Sequence, residues 1–172
     1  MKLYPKQVSA IARDMVEKLV AAGDIEIDEG LEGETVKDFE AILNEYVRAE
    51  NEVGNTARKL LQARGWPSSR YGEARRAAAE IRRVPLGEDA IAYVIEQILE
   101  FLMMSNRIAE VYSEDRIMRK RLAGIMRQHL RLHEELDAEV RKRLKNIQEG
   151  TRDWEIAYSR TMEQLRRAKG LT

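Results

Sequence analysis

Apolar residues recur at three- and four-residue intervals along most of the chain, a spacing that predicts amphipathic helices. We predict a first helix from Pro5 to Ala22, since proline is favoured at the first helical position and Gly23 is placed to cap the end. The alternation of polar and apolar residues from Asp24 to Asp28 predicts a short half-exposed strand. The apolar face of the helix consists of Val8, Ile11, Ala12, Met15, Val16, Leu19 and Val20.

A long helix is predicted after an acidic loop at residues 29–34. Thr35, with Asp38 three residues later, resembles a capping box that would open this helix, and we expect it to end near Ala63. If Glu50 is counted, its apolar residues fall alternately three and four apart, the heptad seam of helices that cross at a shallow angle. The other seam residues are Val36, Phe39, Leu43, Tyr46, Val53, Ala57 and Leu60.

Turn residues at positions 65–69 break the chain, and a shorter helix is predicted from Arg70 to Arg83. We expect this helix to bury Tyr71, Ala74, Ala78 and Ile81.

The same pattern returns 83 positions later, which predicts an internal duplication. Arg48 then matches Arg131, and Glu52 matches Glu135. Residues 107–111 take the place of the first strand. The first helix face is repeated by Ile91, Val94, Ile95, Ile98, Leu99, Leu102 and Met103.

The second long helix is predicted to begin at the cap Ser113 and to run to about Gln148, where Gly150 ends it. Thr151 would cap a final helix that Gly170 terminates. One side of that final helix carries Trp154, Tyr158, Thr161, Leu165 and Ala168.

The fold class predicted by these elements is all-α, with each copy made of a helix, a short strand, a long helix and a shorter helix. The copies would be residues 1–84 and 85–172. A pseudo-two-fold arrangement is the simplest way to bury both long-helix seams, because equivalent surfaces of a duplicated unit can pair as in a homodimer. We expect the units to pack as one body, with Ile25–Ile27 and Ile108–Val111 paired as a two-stranded ribbon.

Several stretches carry a family resemblance: the opening Met1–Tyr4, Gly23–Ile27, Glu45–Glu50, and the closing segment from Asp153 to Gly170. Together they resemble domain-of-unknown-function family 507, bacterial proteins that occur as single units and as tandem pairs. The resemblance covers nearly the whole chain in two copies. It implies no activity, cofactor or catalytic residue.

Acidic and basic side chains cancel at thirty each, so no global field attracts the chain to nucleic acid or to an anionic membrane. Within this overall balance, the sequence contains one acidic block and one basic block. Residues 24–52 contain eleven acidic against two basic residues, a net of −9, and residues 116–145 contain ten basic against four acidic, a net of +6. The absence of cysteine, of a signal peptide and of a membrane-length apolar run predicts a soluble cytoplasmic protein.

The two histidines of the chain, His129 and His133, lie four residues apart on the second long helix. A histidine pair alone supplies too few ligands for a metal, and no zinc or di-iron motif accompanies it, so we expect no cofactor. Their matches in the first copy are Tyr46 and Glu50. A pseudo-two-fold arrangement of the copies would bring all four residues together as a buried polar cluster that fixes the register of the helices. If Glu50 and His133 form a pair, the stability of the protein should depend on pH.

A basic face could contact phosphates. Against it stand the zero net charge, the acidic residues among the clusters, and the lack of a helix-turn-helix or an aromatic stacking motif. We favour the interpretation that these basic residues form solvated helix faces or ion pairs with the acidic block of the first copy. The candidate residues are Arg116, Arg119, Lys120, Arg141, Lys142 and Arg143.

No glycine-rich phosphate loop, nucleophile elbow or pair of catalytic acids stands out in the sequence. We therefore expect a non-enzymatic adaptor or scaffold that binds a protein partner or a second copy of itself. The alternative is a protein that associates with nucleic acid through Arg-rich helix faces. Met103 and Met104 are expected to fill the core, although exposed methionines would suit an adaptable partner surface.

Overall fold

The computed structural model describes residues 3–147 and 152–169, and these residues form helices with one two-stranded ribbon, as the sequence predicted. The chain divides into two compact units, Met1–Met126 and Arg127–Thr172. The predicted repeat units and their pseudo-two-fold packing stay predictions. The elements are α1 (Pro5–Ala21), β1 (Ile25–Ile27), α2 (Glu32–Arg64), a 3-10 turn (Ser68–Arg70), α3 (Tyr71–Arg82), α4 (Glu88–Met104), β2 (Ile108–Val111), α5 (Asp115–Arg143) and α6 (Arg152–Ala168).

In the first unit, α1, α2 and α4 bury the apolar faces that their spacing predicted. Glu50 is buried within the α2 seam, as the heptad spacing requires. The faces of α1 and α4 end one residue early, because Val20 and Met103 are exposed. Each follows directly on a buried leucine, and a step of ~100° around the helix turns its side chain away from the core. The expectation that Met103 and Met104 fill the core is therefore wrong.

The ribbon is confirmed as an antiparallel pair of β1 and β2, with Ile25 opposite Val111 and Ile27 opposite Ile108. Gly23 leads from α1 into it with a positive φ of 70°, a conformation that glycine adopts without strain. Its N–H donates to the carbonyl of Val20, so Gly23 ends the helix as predicted.

α3 packs on the C-terminal half of α2, where Val53 and Ala57 meet Ala74 and Ala78. Small side chains on α3 allow close approach of the two helices. Ile81 lies in the last turn of α3, outside this alanine-lined face, and it is exposed, so its predicted burial is wrong.

Two predicted helix starts are wrong. α2 begins at Glu32, and Thr35 is buried inside it with its hydroxyl donating to the Leu31 carbonyl at 3.0 Å. Acidic residues in the first turn favour this earlier start because they complement the positive end of the helix dipole. α5 begins at Asp115, two residues after Ser113. The Ser113 hydroxyl donates a hydrogen bond to the carboxylate of Asp24 and does not cap the helix.

In the second unit, α6 packs on the C-terminal part of α5. Leu136 and Val140 lie 83 positions after Val53 and Ala57, and all four are buried. On α6, the predicted residue Leu165 is buried, whereas Ala168 is exposed. The predicted extent of the second long helix is wrong, because α5 ends at Arg143, five residues before Gln148, and residues 144–147 form a turn and a bend. The limits predicted at Gly150, Thr151 and Gly170 lie outside the described residues.

Candidate functional site

Tyr46 and Glu50 lie one turn apart on α2 and are both buried in the first unit. The Tyr46 hydroxyl donates to the Pro85 carbonyl at 3.2 Å, and Glu50 Oε1 accepts a hydrogen bond from Arg75 at 2.5 Å. Burial raises the pKa of Tyr46 most, the charge of Glu50 raises it further, and Arg75 opposes both. These contacts join α2 to α3 and to the α3–α4 connection, which is a structural role for both residues.

His129 and His133 lie one turn apart on the part of α5 that belongs to the second unit. Beside them, Asp137 accepts hydrogen bonds from Tyr158 and from Arg141. Burial acts to raise the pKa of Asp137, but these hydrogen bonds and the charges of Arg141 and His133 outweigh it and hold the pKa below its ordinary value. A cluster of Tyr46, Glu50, His129 and His133 stays a prediction, as does the Glu50–His133 pair.

In the part of the chain that the structure describes, no group of three or more His, Asp or Glu side chains is placed to hold a metal ion.

The six candidate basic residues are divided between the units, with Arg116, Arg119 and Lys120 in the first and residues 141–143 in the second. Arg119 pairs with Glu96 and Asp115, both at 2.5 Å. In the second unit, Arg141 pairs with Asp137 at 2.8 Å, and Arg143 pairs with Glu139 at 2.7 Å. Three of the six cations thus contact carboxylates, and a phosphate would have to compete with these carboxylates for them.

The acidic and basic blocks meet at Asp24, whose side chain is only 2% exposed. Its carboxylate accepts a hydrogen bond from Arg121 Nε at 2.5 Å and another from the Ser113 hydroxyl at 2.7 Å. Asp38 of the acidic block also forms an ion pair at 2.8 Å, with Arg107, which precedes the basic block in sequence. Among the described residues, the expected pairing of the blocks is present at Asp24, whose buried position was not predicted.

An open groove of about 340 Å³ lies in the first unit between α2 and α4. The rings of Tyr46 and Tyr93 have centroids 6.5 Å apart, and those of Phe39 and Phe101 have centroids 6.0 Å apart. These pairs show that α2 and α4 run antiparallel here. From α2 the groove is lined by Ile42, Glu45, Tyr46 and Ala49.

The α4 wall of the groove is a second, mostly apolar stripe, which borders the face that α4 buries in the core and shares Val94 with it. Its side chains include Tyr93, Gln97, Phe101 and Met104, spaced four, four and three residues apart. Tyr93 is 44% exposed and Met104 is 86% exposed, so the stripe contacts solvent. Sequence reasoning missed this site, although the aromatic residues outside the predicted face of α4 were a signal for it.

Carboxylates are the only charged groups among the residues that line the groove: Glu45 on α2 and Glu100 on α4. Glu45 pairs with Arg48 at 3.5 Å, and both side chains are largely exposed, so this pair contributes little. The groove therefore offers apolar and aromatic surface with a negative charge on each wall.

A family model described as "Protein of unknown function (DUF507)" matches residues 1–171. The chain belongs to this family. The match confirms the resemblance seen in the sequence, and the DUF507 description assigns no activity or site. A search of curated proteins finds no match for this DUF507 chain. Among its residues 3–147 and 152–169, no helix combines the length and the apolar character needed to cross a bilayer.

Proposed function

We propose that this chain is a non-enzymatic interaction protein of the cytoplasm, an adaptor or scaffold that binds a protein partner through the groove between α2 and α4. The single observation that carries the proposal is the exposed apolar stripe of α4. Solvent-exposed apolar side chains that are contiguous and bordered by polar groups mark binding surfaces in folded proteins. Tyr93 and Met104 are exposed, and the half-buried Phe101 lies between them in sequence, beside Glu45 and Glu100.

The chemistry of the lining supports binding over catalysis. The groove presents two carboxylates on opposite helices and one amide, Gln97, among aliphatic and aromatic side chains. Aromatic residues and methionine are enriched in the central parts of protein interfaces, because they bury a large area and tolerate partners of different shape. The groove has both kinds of residue.

The test is capture of partners from the cytoplasm of the source cell by the full chain, followed by mass spectrometry. The groove variant is Tyr93→Ser with Met104→Ser, and the control is Val20→Ser with Ile81→Ser, which changes two exposed apolar residues outside the groove. We expect at least one protein to bind the wild type and the control and to be lost with the groove variant.

The proposal is wrong if the groove variant retains every protein that the wild type binds. Retention of the wild type on a heparin column at rising salt would instead support the alternative of nucleic-acid binding through the Arg-rich faces. Light scattering of both variants shows whether the partner is a second copy, since a groove-mediated dimer would dissociate only with the groove variant.

A further inference from the structure

We propose that the groove between α2 and α4 binds a positively charged amphipathic helix of a partner protein, an inference that rests on the proposed function. Two antiparallel helices present ridges and grooves into which a third helix can pack. On α4 the lining extends from Tyr93 to Met104. At ~1.5 Å per residue this is a length of about 16 Å, which matches three turns of a helix.

The apolar anchors of the groove fit the periodicity of a helix. Tyr93, Gln97, Phe101 and Met104 follow one line along α4, and α2 supplies Ile42 and Ala49 opposite. A partner helix with apolar residues at positions i, i+3, i+4 and i+7 places one continuous stripe against such a line. Met104 is exposed, and its flexible side chain can adjust to different partner side chains.

The charge of both walls selects a cationic partner. α4 contains four carboxylates and no lysine or arginine along residues 88–104. The facing segment of α2, residues 32–52, contains seven acidic residues against two basic ones. Glu96 is engaged by Arg119 at 2.5 Å, so Glu45 and Glu100 are the carboxylates placed to meet the partner. Nucleic acid and anionic lipid surfaces are disfavoured by the same charges.

A display library provides the test, because it supplies the ligand without knowledge of the natural partner. The library contains helical sixteen-residue peptides with a fixed apolar stripe at i, i+3, i+4 and i+7 and with Lys, Glu and Gln randomised at the flanking positions. It is selected on the full chain and counter-selected on the Tyr93→Ser, Met104→Ser variant. We expect the recovered peptides to be enriched in lysine on both flanks of the stripe.

Recovered peptides are then measured by fluorescence anisotropy against Glu45→Gln with Glu100→Gln. The control is Glu17→Gln with Glu80→Gln, which removes the same charge from two exposed residues outside the groove. We expect the groove variant to weaken binding about fivefold and the control to leave the Kd unchanged, since an exposed ion pair contributes up to ~1 kcal/mol.

Three outcomes overturn the inference. In the first outcome, the peptides that depend on the groove show no preference for lysine. In the second, they bind the charge variant and its control with equal affinity. Either outcome refutes a cationic helix and leaves the proposed function standing. Failure to recover any peptide that depends on the groove refutes the helix as occupant, while the partner capture above judges the proposed function separately.

Discussion

The buried carboxylate of Asp24 is the sharpest place to test how the first unit is held together. Its partners, Arg121 and Ser113, both come from chain segments about ninety residues later. Asp24 also follows Gly23 directly at the end of α1, and its carbonyl accepts hydrogen bonds from the N–H groups of Tyr112 and Ser113. Replacement of Asp24 by asparagine keeps the shape of the side chain and removes its charge.

The expected loss follows from the burial of each partner. Removal of one partner from a buried ion pair costs ~3–5 kcal/mol, because the other charge stays buried and unpaired. The Arg121 side chain is 38% exposed, so its charge remains in contact with water after the substitution. The asparagine carbonyl can still accept the hydrogen bond from Ser113. We therefore expect Asp24→Asn to lower the free energy of unfolding by about 2 kcal/mol.

Urea unfolding at pH 7 measures this loss. In a Trp154→Phe background, tryptophan fluorescence reports Trp66, which belongs to the same compact unit as Asp24. With an m-value of ~2 kcal/mol/M, the expected decrease of the unfolding midpoint is about 1 M. The matched control is Glu45→Gln, because Glu45 and Arg48 form an exposed pair at 3.5 Å. We expect that control to change stability by less than ~0.5 kcal/mol.

A double-mutant cycle with Arg121→Met separates the pair from the other contacts of Asp24. We expect a coupling free energy of about 1–2 kcal/mol between the two substitutions. Additive losses, or a midpoint for Asp24→Asn equal to that of the exposed control, would refute the argument that burial makes this pair important.

Three further predictions concern single residues. Tyr46→Phe should lower stability at pH 7 by about 1 kcal/mol through loss of the hydrogen bond to Pro85, as measured by urea unfolding. The folded-state pKa of Tyr46 is raised, so the protonated hydroxyl stabilises the fold below the unfolded pKa of ~10, and this stabilisation is lost as pH rises through the folded pKa. The Tyr46→Phe variant cannot titrate at this position. It should therefore lose less stability than the wild type in an alkaline titration. The folded-state pKa of Asp137 is lowered, so the ionised carboxylate stabilises the fold above the unfolded pKa of ~3.9, and this stabilisation is lost as pH falls through the folded pKa. Asp137→Asn should therefore show a shallower acid unfolding profile than the wild type, as measured by circular dichroism. Gly124→Ala, in α5 with nothing within 4 Å of the added Cβ, should raise the free energy of unfolding by about 0.5–1 kcal/mol, whereas Gly65→Ala, at φ 61°, should lower it. A stabilised Gly65→Ala variant would contradict the last prediction.

Local rules account for what the sequence predicted well. The face of α1 and the seam of α2 depend on spacing along one helix, which is visible in the residues themselves. The ribbon was predictable because residues 24–28 alternate between polar and apolar and because residues 107–111 take the matching position after the helix of the second copy. Helix starts were less predictable. Thr35 and Ser113 can accept hydrogen bonds as caps, but each donates its hydroxyl to another acceptor, the Leu31 carbonyl and Asp24 respectively.

The all-α class, the helix faces and the family follow from the order of the residues, because helical periodicity and family motifs are properties of that order. Which polar groups are buried and which apolar groups stay exposed depends on how the helices pack. Asp24 is indistinguishable in sequence from the other acidic residues of its block until Arg121 is brought to it from 97 residues away. The groove depends in the same way on the antiparallel approach of α2 and α4, which leaves Tyr93 and Met104 exposed in the first unit. Contacts between distant segments depend on packing geometry, which no local pattern encodes.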